Sequence, residues 1–296
     1  MAKKKKGRIA VPYLVTIFIG LLIIGGAALF IYNYFELGND GELSEPIARN
    51  ITEVTYEDSH TILLILDTPE EKCSSTFVMM RSVPKEKKLL FVGIPANTIA
   101  VVDGKQASLK ESYDRGGAAS AVSFSEQVLG VDIDRYMTFD SEAFLKACDI
   151  MGGVSYVVNI DAFGFAEPGT EQFLNGQQIQ TLITYSMYEN GEEQRAYTAS
   201  SVLAAMVNQA DGQRIAEMFD INFNTIINMV DSNVTAVDYK NRKAAIKYMF
   251  ERGTSIARFR IMTGTSSEGE FIPDKSFSTD MIKEYFTEPD GGNEAS

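Results

Sequence analysis

The side chains that could do chemistry in this chain are few, and the scarce types narrow the field first. His60 is the only histidine, and Cys73 and Cys148 are the only cysteines. A Ser-His-Asp relay through any other histidine is excluded, as is a His-rich zinc site. The two cysteines form no CxxC pair; outside a membrane they could bond to each other, and in a chain that can fill a core they read first as separate buried thiols. Asp67 closes the apolar run 62–66, and Ser75 and Thr76 follow it. A strand-end aspartate is a turn former, a helix cap or a functional carboxylate. Arg195 is the only arginine between Met187 and Gln213, and it stands beside Glu189, Glu192 and Glu193. On an acidic helix it reads first as an exposed partner of a carboxylate one turn away, and second as a ligand. No residue is assigned a catalytic role, and no metal-ligating set is assigned.

Strands alternating with helices would have to position these residues. Segments 62–66, 77–80 and 89–94 are continuous apolar runs of strand length, the pattern of strands buried on both faces. Pro84-Lys85 marks a turn between the last two. Segments 108–115 and 119–129 have helical spacing, and 135–139 is a strand. Segment 141–151 is an amphipathic helix closed by Gly152-Gly153, and 154–160 is a strand. Segments 176–188, 192–209, 224–230 and 241–250 read as helices, 256–262 as a strand and 279–286 as a closing helix. Met79, Met80, Met187 and Met206 read as core filler. This alternation predicts an α/β fold, a three-layer α/β/α sandwich with a mixed central sheet.

The N-terminus bears on where the domain works. Lys3, Lys4, Lys5, Lys6 and Arg8 precede residues 9–35, a span of 27 without a charged side chain. A helix needs about 20 apolar residues to cross about 30 Å of hydrocarbon, and a secretory signal has an apolar core of only about 7–15. Phe30, Tyr32, Tyr34 and Phe35 at the far end suit the interfacial belt of an uncleaved anchor. The expected organisation is a cytoplasmic tail 1–8, a transmembrane anchor 9–35 and a linker 36–59. An extracytoplasmic domain 60–287 and a disordered tail 288–296 complete it. The net charge of −13 includes the five cations of the first eight residues, so the remainder carries −18. Such a surface does not attract nucleic acid by charge.

Several segments, in order, carry a family resemblance. They are Ile62-Leu63-Leu64-Ile65-Leu66-Asp67, Ser74-Ser75-Thr76 and Gly93-Ile94-Pro95-Ala96-Asn97-Thr98, then residues 109–117, Met151-Gly152-Gly153-Val154 and Leu174-Asn175-Gly176-Gln177-Gln178. Together they resemble the extracytoplasmic LytR-CpsA-Psr family over residues 61–286. The resemblance implies phosphotransferases that move a glycopolymer from polyprenyl pyrophosphate to peptidoglycan. Such a site needs several arginines for the phosphates, carboxylates for Mg²⁺ and an apolar groove for the lipid.

This chain departs from the pattern at the chemistry. Cys73, Ala96, Met187, Glu189 and Thr198 stand where the family carries arginine, and Ser75 and Asn97 where it carries aspartate. Asp67 and Arg195 alone keep their type, as the remnant of a pyrophosphate pocket. Loss of several charge-assisted partners, each worth about 2–5 kcal/mol, should abolish binding of a dianion. The expectation is a catalytically degenerate envelope protein without a cofactor, its partners the membrane, polyprenyl lipid or envelope proteins. An active phosphotransferase using Mg²⁺ and a non-enzymatic structural envelope protein are the alternatives. Convergence of Arg81, Arg115, Arg135 and Arg195 on Asp67 would favour the enzyme.

Overall fold

Strand β1 (His60–Leu66) is an inner strand of a six-stranded sheet because both of its edges are paired. The computed structural model describes residues 53–68, 75–102, 104–209, 212–251 and 255–288. The segments expected as tail 1–8, anchor 9–35, linker to residue 52 and C-terminal tail from 289, together with Pro69 and Cys73, lie outside the described residues. Among the described residues no helix is long and apolar enough to cross a membrane.

β2 (Thr76–Val83) runs antiparallel to β1 with Leu64 opposite Val78. It turns through Pro84–Glu86 into β3 (Lys88–Ile94), also antiparallel. β4 (Ile99–Val102) and β5 (Lys105–Ser108) form a separate hairpin. Helix α1 (Leu109–Leu129) follows, with a break where Gly116 and Gly117 leave helical geometry. Gly117, at φ 63° and ψ −157°, occupies a region essentially closed to other residues. The two helical spacings in the sequence therefore correspond to the two halves of α1.

β6 (Arg135–Phe139) joins the free edge of β1 in parallel. Helix α2 (Ser141–Met151) begins at Asp140, whose side chain accepts from the Ala143 amide, and ends at left-handed Gly152. β7 (Val154–Val158) pairs with β8 (Thr170–Leu174) outside the main sheet. Then come α3 (Gly176–Ile183), α4 (Gly191–Asn208), α5 (Gly212–Ile227), β9 (Asp231–Ser232) and α6 (Ala236–Phe250). β10 (Ala257–Ile261), the hairpin β11 (Gly264–Ser267) and β12 (Glu270–Pro273), and α7 (Lys275–Tyr285) close the described chain.

The main sheet is mixed, in the order β10-β3-β2-β1-β6-β9. Leu63, Ile65, Phe77, Met79 and Val92 pack on one face with Phe124 of α1 and Met281 of α7. Val78, Leu89 and Phe91 pack on the other with Cys148 of α2, Ile179 of α3 and Val202 of α4. The expected α/β class with a mixed sheet therefore holds. β1 departs from its expected double burial, since Ile62 and Leu64 are only half covered. Segment 154–160 is a strand only to Val158 and lies outside the main sheet, and the segment expected at 224–230 belongs to a helix ending at Ile227. Met79 and Met206 are core residues, whereas Met187 is 72% exposed because α3 ends at Ile183, before it. Cys148 is free and buried, and burial pushes its thiol up to about 12.

Candidate functional site

The registers place the carboxyl ends of β1, β3, β6 and β10 at the same side of the sheet. Ligands of open α/β sheets settle outside such ends. Asp67 follows β1 at this edge, and Ser75-Thr76 open β2 beside it. The Ser75 hydroxyl donates to Asp67 Oδ1 at 3.1 Å, and the Tyr113 hydroxyl donates to Oδ2 at 2.8 Å. Tyr113 sits on the first half of α1, which a reciprocal cap between Ser108 and Glu111 starts. Its phenol is pushed up by burial first and then by the bond to Asp67, so it remains a donor.

Arg195 reaches the same place from α4. It is 3% exposed. Its Nη1 donates to Thr76 Oγ1 at 3.1 Å and its Nη2 to the Ser75 carbonyl at 3.3 Å. Nε donates to Glu192 Oε2 at 3.1 Å, and Nη2 meets the same oxygen. The Thr76 hydroxyl itself donates to the Ile183 carbonyl at 3.2 Å, at the end of α3. Ser75 is thus the joint of the site, its side chain holding Asp67 and its carbonyl holding Arg195.

A close approach of backbones puts Arg195 there. A Cβ at Gly93 of β3 would stand 1.9 Å from the Ala196 carbonyl oxygen. Only glycine lets α4 lie this near the strand. The consequence corrects the sequence expectation for Arg195. It is not an exposed partner on a solvated helix face but a buried cation whose counter-ion, Glu192, lies three residues back.

The structure brings Asp67 and Arg195 onto Ser75, while Arg81 and Arg135 are engaged elsewhere. Arg81 faces Thr61 across the β1–β2 register, five residues or about 17 Å from the Leu66 end. There it donates to Thr61 Oγ1 at 3.1 Å. Arg135 is held by Asp238 through bonds of 3.0 and 2.7 Å, and Arg115 is exposed on α1. Thr198 is buried and its hydroxyl turns back to the Gln194 carbonyl at 2.8 Å, while Glu189 is exposed.

Among the described residues, Asp67 is the one carboxylate bonded to Ser75, too few oxygen ligands of this kind for a Mg²⁺ ion. Each Asp67 oxygen accepts from a hydroxyl, and among the described residues no group of three or more His, Cys, Asp and Glu could hold a metal ion. Hard cations require several oxygen ligands with compensating charge.

A cleft of about 350 Å³ is lined by Ala96 and Asn97, which follow β3. The β4–β5 hairpin, Lys110 and Glu111 of α1, and Gly269-Glu270 form its other walls. Asn97 Nδ2 donates to the Gly269 carbonyl at 2.9 Å, and its Oδ1 is buried without a hydrogen bond. Sequence reasoning missed Tyr113 as a partner of Asp67. A Tyr one turn past a cap-forming Ser108-x-x-Glu111 was a readable helix signal, but not a signal of which strand end it faces.

The model of the LytR_cpsA_psr family matches residues 39–265. A Halalkalibacterium halodurans protein named polyisoprenyl-teichoic acid–peptidoglycan teichoic acid transferase TagU is 27% identical over 208 residues, 65% of this chain and 63% of that relative. The Bacillus subtilis protein of the same name is 23% identical over 307 residues, covering 95% of this chain and 96% of that relative. The solved structure of Bacillus subtilis TagV has the same fold, with a TM-score of 0.60 at 18% identity over 78% of this chain and 98% of that chain.

Proposed function

The chain belongs to the LytR-CpsA-Psr family, and from that premise we propose that it is a catalytically degenerate member working at the cell envelope. In this reading an N-terminal helix over residues 9–35 anchors it, with residues 36–296 outside the membrane. It binds a polyprenyl lipid or an envelope protein rather than transferring a glycopolymer. The observation that carries the reading is the pairing inside the remnant site. Arg195, the arginine retained there, is neutralised by Glu192, and Asp67 is engaged by the Ser75 and Tyr113 hydroxyls. A transferring pocket must instead offer net positive charge to two phosphates.

Calorimetry of the purified chain with a short polyprenyl pyrophosphate and with the matching alcohol tests this. The expected result is equal, weak binding of both, insensitive to Mg²⁺ and little affected by salt. Micromolar, Mg²⁺-dependent binding of the pyrophosphate alone, lost on Asp67→Ala or Arg195→Ala, would make the chain an active transferase.

A further inference from the structure

Arg195 and Glu192 differ sharply in access to solvent. Their side chains are 3% and 27% exposed. The carboxylate therefore forms the outer layer of the pair and the guanidinium the inner one. Nε and Nη2 of Arg195 converge on one Glu192 oxygen, in the arrangement by which a guanidinium edge grips an oxyanion. On the opposite side the guanidinium is fixed by Thr76 and by the Ser75 carbonyl. Glu192 and Arg195 share helix α4, so their pairing needs no movement of one element against another.

We propose that Glu192 is a built-in occupant of the anion position. Its carboxylate fills the place at Arg195 that a phosphate oxygen would take, and so removes the preference for a charged headgroup that a free Arg195 would give the site. This inference rests on the degenerate reading above and assigns that loss of preference to one residue. Two elements support it. The oxyanion grip on Arg195 is complete within the chain, so an incoming phosphate must displace a covalently tethered rival. The neighbouring charges oppose it too, since Asp67 stands on the far side of Ser75 and Glu193 next to Glu192. A like charge beside a phosphate repels it most where water is excluded.

The experiment uses the full chain in detergent, with inorganic pyrophosphate as probe, read by calorimetry and by the shift in melting temperature. The variants are Glu192→Ala, which removes both charge and bulk, Glu192→Gln, which removes charge at constant shape, and Glu192→Ala combined with Arg195→Met. Glu192→Ala should bind pyrophosphate at least about tenfold more tightly than the parent and melt higher in its presence. The double variant should lose the gain. If Glu192→Ala does not fold, Glu192→Gln carries the test, with a smaller gain of the same sign. Folded variants that bind no better than a non-binding parent would overturn the role of Glu192 and leave the degenerate reading standing. A parent that binds pyrophosphate as tightly as its variants would overturn both.

Discussion

Replacing Gly93 by alanine tests the contact that places the site. A Cβ built at Gly93 lies 1.9 Å from the Ala196 oxygen, 2.5 Å from its carbonyl carbon and 3.0 Å from its Cα. All three atoms are backbone, so no rotamer change relieves the overlap. A carbon–oxygen contact is comfortable only near 3.3 Å, so α4 must retreat by about 1.4 Å. Overpacking of this kind costs about 1–3 kcal/mol, more where the backbone itself must move. We expect about 3 kcal/mol of destabilisation, a large share of the roughly 5–15 kcal/mol of a natural domain. The same retreat draws Arg195 away from Thr76 and Ser75. The chain has no tryptophan and 13 tyrosines, so urea denaturation is best followed by near-ultraviolet circular dichroism of the tyrosines. A Gly93→Ala variant within about 0.5 kcal/mol of the parent would refute the close approach of α4 to β3 and with it the account of why Arg195 is buried.

Three further predictions follow from other parts of the molecule. Leu63 is fully buried in β1, so Leu63→Ala should lose about 2–5 kcal/mol in the same denaturation assay. A loss below about 1 kcal/mol would contradict its central place. Arg135, through its hydrogen bonds, holds the Asp238 carboxyl well below the usual carboxylate range. A depressed native value contributes stability above the unfolded value near 4, which disappears as pH falls toward the native value. Asp238→Asn should therefore melt lower than the parent at neutral pH and lose less than the parent on acidification below about 4, and an unchanged acid profile would count against the pair. Protease added to wall-stripped cells should digest the domain beyond residue 36, whereas full protection would place it inside and remove the envelope reading.

Much of the framework was legible in the residues themselves. The apolar runs around Ile65, Met79 and Phe91 marked three strands, because they are continuous, of strand length and bounded by polar or turn residues. Helix α2 matched its sequence span at both ends, since the N-cap Asp140 and the C-cap Gly152 are local start and stop signals that act without tertiary help. The β4–β5, β7–β8 and β11–β12 hairpins were harder to read. Their strands span four or five residues and expose many side chains, so they lack the apolar alternation that marks a buried strand. Ala96, Met187 and Thr198 were likewise legible as residue types, and the proposal of a degenerate site starts from them. What the tertiary structure decided was the surroundings of Asp67 and Arg195. The acidic neighbours of Arg195 suggested a solvated helix face, yet Gly93, 102 positions earlier, brings that face against the sheet. Tyr113 meets Asp67 across 46 positions. Residue type sets which charges a site contains, and local spacing sets which helix carries them. Burial, and therefore whether a charge must be neutralised from within the chain, depends on which backbones can approach, and that is fixed only when the sheet and helices pack.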